Sequence, residues 1–477
     1  MKRRDFLRAG LFSTAAMSGL GAGWPVSLAR AAHSATAVPR TLVNIMLGGG
    51  SDLRFVFVPD PATHDVDYVD QFWTARSNIY ASENYADYTA MYAAEYTTVS
   101  DGGFSFGIHN SCGWLIQEFN AGNAAIVCNV FGSSNRRHDH SQVIINTGDL
   151  TAGQLDTSRE GWGGRLVEAA AGTPNVVAVS GGVSLFCNGS DPDSRLGQLI
   201  HGKNMRNMSL PVVDPGLSVT HSRNVTRRAL IAYYTERGSE ILTEKPANWP
   251  YRRFFQHNDS LRAFGDGITT RLAGHPMPTA LDSLNLNSNS FELQSRNLYD
   301  CCLTADILDL KVISMEYGGW DTHANQRAAM SGKLQDILGT GGGLDTVSSQ
   351  LATDVPSAND NLVYLLSWDF GRQLAGNGTI GTDHGVGSYS VVVGNGVNGG
   401  VYGDMFPQRE ALSDPADSQG RTPFQIPGRD IAGLTSIERV YGRLSDWAAP
   451  GTGSAVFPNI DSSALEAGVD LTYLLQP

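Results

Sequence analysis

A chain of 477 residues, 41% apolar and 17% charged, carries enough apolar material to bury a core and fits one large α/β domain or two ordinary ones. Its 47 acidic against 34 basic residues leave a formal charge of −13, which argues against nucleic acid and anionic membrane surfaces as partners. The five cysteines show no C-x-x-C or metal-finger spacing and no dinucleotide fingerprint is present, which leaves a redox enzyme without support; the odd count leaves at least one thiol unpaired within the chain.

The N-terminus reads as a targeting segment. Twin arginines, Arg3 and Arg4, precede Phe6-Leu7, a Gly/Ala/Ser-rich apolar stretch runs from Ala9 to Gly23, and Ala29-Arg30-Ala31 supplies a small-residue cleavage site. This resembles a twin-arginine export signal, so residues 1–31 are expected to be removed and the protein to act in the periplasm or outside the cell. Their loss takes Lys2, Arg3, Arg4, Arg8 and Arg30 away against Asp5 and moves the formal charge from −13 to −17. No later apolar run reaches the length that spans a bilayer.

Thr41 to Leu47 is predicted as a first strand, ending in Gly48-Gly49-Gly50-Ser51-Asp52. The glycines allow close backbone approach, and Asp52 is the first carboxylate at a strand end; a tight turn with a solvated aspartate is the alternative reading. Residues 60–110 lack a clean period and are expected to form loops and a cap. A helical stretch, Cys112 to Ala121, leads to a second strand, Ala124 to Phe131, followed by Ser133-Ser134-Asn135-Arg136-Arg137-His138-Asp139-His140-Ser141 and a helix predicted over Ser141 to Asn146. A polar run before a helix N-terminus suits an anion, whereas an exposed loop with a capping residue is the bland alternative. Asn175 to Ser180 is a third strand, Arg227 to Leu272 is helical, with its aromatic residues assigned to packing, and 200–290 is a second insertion. Asn285 to Ser290 reads as a long loop, and Phe291 to Leu310 as a helix.

The chain is organised around the apolar run Leu310 to Met315 and the turn Gly318-Gly319-Trp320-Asp321-Thr322-His323 that follows it. Asp321 and His323, two apart in extended chain, point to one side and suit a shared metal ion. Helices are predicted over Asn325 to Leu338 and Gly343 to Ala352. A further strand, Leu362 to Ser367, ends in Trp368-Asp369-Phe370-Gly371-Arg372, with a loop carrying Asp383 and His384 before a strand at Ser390 to Val393. Acidic and histidine residues thus gather past strand ends, where open α/β sheets place ligands. Asp430 to Trp447 is predicted as one amphipathic helix.

Together, the export signal, GGGSD, RRHDHSQ with TGD, GWGGR, GGWDTHANQ, DFGR and GTDHG look like the bacterial exported family called domain of unknown function 1501. That resemblance implies the alkaline phosphatase and sulfatase superfamily: a single α/β domain over 32–477, a three-layer α/β/α sandwich with loop or cap insertions, and a metal-dependent site at the strand ends. It implies Asp52, Asp321, His323, Asp369 and His384 as metal ligands, with Asp383 a ligand or a residue that orients His384. The divalent ion is Zn, Ca, Mg or Mn. Where relatives carry Asp-His-Gly this chain has Asp369-Phe370-Gly371, so a second ion loses a nitrogen ligand and would be held by oxygens. Counting back from Thr147-Gly148 in the sulfatase pattern puts His138 at the nucleophile position, with Ser141 the nearest hydroxyl and Arg137 or Arg372 available to balance charge. The expectation is hydrolysis of a small-molecule or glycan phosphate or sulfate ester. A non-catalytic protein that binds a glycan, an envelope polymer or a co-secreted partner is the alternative.

Overall fold

The computed structural model describes residues 40–476 apart from 134, 154–158, 173, 190–198, 209–216, 245–251 and 460–468, and only the backbone of 252–261. Residues 1–31, predicted as an export signal, lie outside the described residues.

A mixed nine-stranded sheet runs through the molecule. Its strands are Thr41–Gly48 (β1), Ala124–Phe131 (β2), Asn175–Ala178 (β3), Leu199–His201 (β4), Leu310–Gly318 (β5), Leu362–Trp368 (β6), Gly387–Val393 (β7), Gly400–Tyr402 (β8) and Thr435–Ser436 (β9). The order is β8-β2-β7-β6-β1-β5-β3-β4, with β9 alongside the far end of β2. Every pairing is parallel except the two made by β7. The strands β1, β2, β6 and β7 are mostly apolar and buried on both faces along nearly their whole length, as expected where both sides of a sheet are covered. Each fully buried Val, Leu or Ile side chain contributes about 1.5–3 kcal/mol.

This topology decides where the chemistry-bearing loops go. In register, Gly48 sits opposite Gly318 and Leu47 opposite Trp368, so β1, β5 and β6 end in one row. Because β2 is parallel to them and β7 antiparallel, the end of β2 and the start of β7 share that rim. Five segments far apart in sequence therefore meet there.

Several expectations are corrected. Residues 60–110 are ordered elements: helices Val66–Arg76 and Tyr88–Glu95 and a three-stranded sheet of Phe57–Pro59, Tyr96–Asp101 and Phe104–His109. Their aromatic residues obscured any period because Phe72, Trp73, Tyr80, Tyr88 and Tyr92 form a chain of ring contacts, to which Tyr68 is joined through Phe424. The DFGR and GTDHG loops are a hairpin, Arg372–Gly376 against Thr382–His384, with Arg372 opposite His384. The helix expected from Ser141 begins at His138 and ends on Gly148, whose φ of +59° caps it. The helix expected over 430–447 is Ile437–Ala448, preceded by β9. Phe291 to Leu310 divides into the helices Asn289–Leu303 and Ala305–Leu308 before β5. Within the second insertion, β4 is part of the main sheet, and the helices Ser222–Glu244 and Arg252–Ala273 follow. All five cysteines are free and buried, so no disulfide forms.

Candidate metal centre

The turn after β5 brings Asp321 and His323 to the rim because Gly49 lets β1 approach it. Gly49 has φ +121°, and a Cβ there would lie 2.4 Å from the Asp321 amide nitrogen. The same residue's N–H donates to the Asp369 carboxylate at 3.2 Å from both oxygens. Gly371 is similarly constrained, since a Cβ would fall 1.7 Å from the Gly387 carbonyl oxygen.

Around Asp321 three imidazoles converge. His384 Nε2 lies 3.0 Å and His323 Nε2 3.1 Å from Asp321 Oδ1, and the two Nε2 atoms are 2.9 Å apart. His138 Nε2 stands 3.4 Å from Asp321 Oδ2, without hydrogen-bond geometry and with no other partner. The opposite nitrogen of each ring is committed to an acceptor: His384 Nδ1 to the Arg136 carbonyl at 2.7 Å, His323 Nδ1 to Asp383 Oδ1 at 2.9 Å, and His138 Nδ1 to Asp369 Oδ2 at 2.6 Å. Carbonyl and carboxylate oxygens accept only, so each Nδ1 carries the proton. In the neutral rings all three Nε2 lone pairs then face one carboxylate. Such a cluster requires a cation or added protons.

The donor set fits a divalent ion. Metal–nitrogen bonds of about 2.0–2.1 Å at right-angled to tetrahedral spacing put neighbouring donors roughly 2.9–3.3 Å apart, which matches Asp321, His323 and His384. Each Nδ1–H bonded to an oxygen is the arrangement that fixes the tautomer of ligating histidines. Donor atoms of His138, Asp321 and His384 also lie within 4.8 Å of one another.

Electrostatics sharpen the site. Partial burial pushes the Asp321 carboxyl up, but the hydrogen bond from Arg372, joined by one from His384 when that ring is doubly protonated, outweighs it and holds it at about 2. The bond to Asp369 raises His138 above the usual imidazole value against the opposing effect of burial. Asn377, donating to Asp383 at 3.0 Å, and His323 keep that carboxyl low. Phe370 packs on His138 and His384, with ring centroids 4.6 and 4.4 Å away, and so presents an apolar wall where relatives are expected to carry a histidine.

Other predicted site residues sit elsewhere. Asp52 is buried and ion-paired with Arg76, and it also accepts from Gln326 at 2.7 Å and from the Arg54 amide at 3.1 Å. It is neither a solvated turn residue nor part of the convergent cluster. Asp369 is buried against Gly49 and His138, so Asp52 and Asp369 are not arranged as a second oxygen site. Ser141 is fully buried, donating to the Asn135 carbonyl at 2.6 Å, and is not presented as a nucleophile. Arg372 is buried too; it donates to the carbonyls of Gly49, Gly50, Trp320 and Thr382 and to Asp321 at 2.7 Å. Its donors are spent on holding the rim together, which removes it from direct charge balance on a substrate. Arg137 is exposed and pairs with Asp139 at 2.7 Å.

Residues 287–414 match the model of a family described as protein of unknown function (DUF1501). The match spans the segment that supplies Asp321, His323, Asp369, Arg372, Asp383 and His384, and it supports the resemblance to that family. No curated protein matches the chain. No helix among the described residues is long and apolar enough to cross a membrane.

Gln326, Thr322 and Thr382 escaped the sequence reading. Uncharged side chains carry no spacing signal of their own, although all three lie within the GGWDTHANQ and GTDHG segments.

Proposed function

We propose that this chain is an exported, metal-dependent hydrolase of phosphate or sulfate esters, built as an α/β/α sandwich of the alkaline phosphatase and sulfatase type and acting in the periplasm or outside the cell on a small-molecule or glycan ester. The observation that carries this reading is the convergence of three imidazole Nε2 atoms on the Asp321 carboxylate with every Nδ1–H already committed. Asp321, His323 and His384 are the residues that hold the ion. A divalent ion there supplies Lewis-acid polarisation of an ester oxygen.

The remaining roles belong to the chain itself. His138 Nε2 takes or returns a proton beside the ion, and Asp369 keeps its ring oriented from the Nδ1 side. The helix His138–Thr147 directs its N-terminus at the rim, where the positive end of the dipole favours an anionic substrate. Since Ser141 is buried, water or His138 Nε2 itself is left as the nucleophile. Metal analysis of the purified mature protein, followed by turnover of aryl phosphates and sulfates by wild type and Asp321→Asn, tests the proposal. A wild type without stoichiometric metal or turnover defeats it.

The Arg372 guanidinium, already bonded to Asp321 Oδ1, favours a second reading. A neighbouring positive charge weakens the pull of that oxygen on an ion. Under this reading the protein keeps the fold, binds a glycan, an envelope polymer or a co-secreted partner, and turns over no ester. Metal removal then lowers Tm without any loss of activity to measure.

A further inference from the structure

We propose that Gln326, oriented by the buried Asp52, is the positioning residue that sets the Asp321–His323 turn against the Asp383–His384 strand; the inference rests on the metal-site reading above. Gln326 is fully buried at the first position of the helix Gln326–Leu338. Its Nε2 donates to Asp52 Oδ2 at 2.7 Å, and Arg76 donates to the same oxygen. A carboxylate accepts only, so the amide nitrogen of Gln326 must face Asp52 and its oxygen must face the other way.

That oxygen receives two hydroxyls, Thr322 Oγ1 at 3.1 Å and Thr382 Oγ1 at 2.6 Å. Thr322 lies between Asp321 and His323, and Thr382 immediately precedes Asp383 and His384. One side-chain carbonyl therefore ties together the two segments whose imidazole Nε2 atoms stand 2.9 Å apart. The Thr382 amide donating to the Thr322 carbonyl at 3.2 Å adds a backbone link between the same residues. Asp52 thus acts mainly by fixing which end of the Gln326 amide faces the threonines, since its own Oδ2 lies 3.5 Å from Thr382 Oγ1 while the Gln326 oxygen takes that hydroxyl at 2.6 Å. This reassigns the first strand-end carboxylate from ion ligand to orienting group.

The test uses the mature protein with Zn²⁺ and Mn²⁺ as probes and two readouts: metal dissociation constants, and imidazole nitrogen NMR shifts of His323 and His384 in metal-free protein. Gln326→Leu removes the bridge and should weaken metal binding by about 10–100-fold, the usual range for groups that orient ligands. It should also shift both imidazoles in the metal-free state. Gln326→Glu alone sets two carboxylates against each other and should do the same. Replacing Thr322 and Thr382 together by Val removes both hydroxyls from the Gln326 oxygen while leaving its bond to Asp52 in place, so it should reproduce the Gln326→Leu losses in both readouts. Variants with wild-type imidazole shifts in the metal-free state overturn the inference. If the wild type binds neither metal, the hydrolase reading falls, and the metal-free NMR comparison still decides the role of Gln326.

Discussion

Replacing Arg372 by Met tests whether the rim is held from below or whether this guanidinium serves the ligand. The side chain is buried and gives its donors to four backbone carbonyls and to Asp321. Methionine fills similar volume without donors. Trp320 keeps the Thr322 amide as a partner, so the loss falls on the carbonyls of Gly49, Gly50 and Thr382. At about 1–2 kcal/mol for each buried acceptor left short, with Asp321 still partly solvated and facing histidines, the destabilisation is about 3–6 kcal/mol. Urea unfolding of metal-free protein, followed by circular dichroism, reads this as a lower midpoint at unchanged slope. A stability change below about 0.5 kcal/mol, within the range of ordinary surface substitutions, together with abolished metal binding or turnover, would refute the clamp and return Arg372 to the substrate.

Gly49→Ala should abolish metal binding in soluble protein, because the added Cβ meets the Asp321 amide at 2.4 Å in a left-handed backbone conformation; unchanged titration by a divalent probe counts against the described turn. Glu95 provides an acid-sensitive element. Burial pushes its carboxyl up, but the His109 ring 3.4 Å away and bonds from Tyr85 and Arg327 bring it down to about 2 from 4.5. Its folded value is depressed, so its stabilisation is present above pH 4.5 and is lost as pH falls towards 2, a difference of about 3 kcal/mol. The stability advantage of wild type over Glu95→Gln should shrink by that amount between pH 6 and pH 2, and a constant gap contradicts the assignment. His138 has the opposite sign: its raised value means that protonation stabilises the metal-free fold at low pH, and this contribution fades as pH rises through the folded value. Its Nε2 must be free of that proton to act beside the ion, so turnover should rise with pH over the same interval and the residual turnover of His138→Gln should lose this dependence; identical pH profiles for the two proteins remove His138 from the chemistry.

Much of the architecture was legible because long apolar runs behave alike in any context. Ala124–Phe131 matched its predicted bounds, and β1, β5, β6 and the helices Gln326–Leu338 and Gly343–Asp354 fell within a few residues of expectation. The misread regions have physical causes. In 60–110, aromatic side chains pack in a cluster that no helical or strand period describes. The short hairpin holding His384 is secured by Arg372 and by partners distant in sequence, which its own glycine-rich composition conceals.

From residue order alone came the strands, the turns that end them, and Asp321 with His323 as a pair suited to one ion, since alternation, glycine placement and side-chain chemistry are local properties; His384 entered as what the family resemblance implies. Which carboxylates face that centre and which are spent on arginines was decided by the tertiary structure. Asp52 and Asp321 both follow strand ends, but Asp52 is enclosed with Arg76 and Gln326 while Asp321 lies at the rim among imidazoles. The difference arises from parallel register and from the depth at which each turn is buried, and neither is encoded in the few residues around the aspartate.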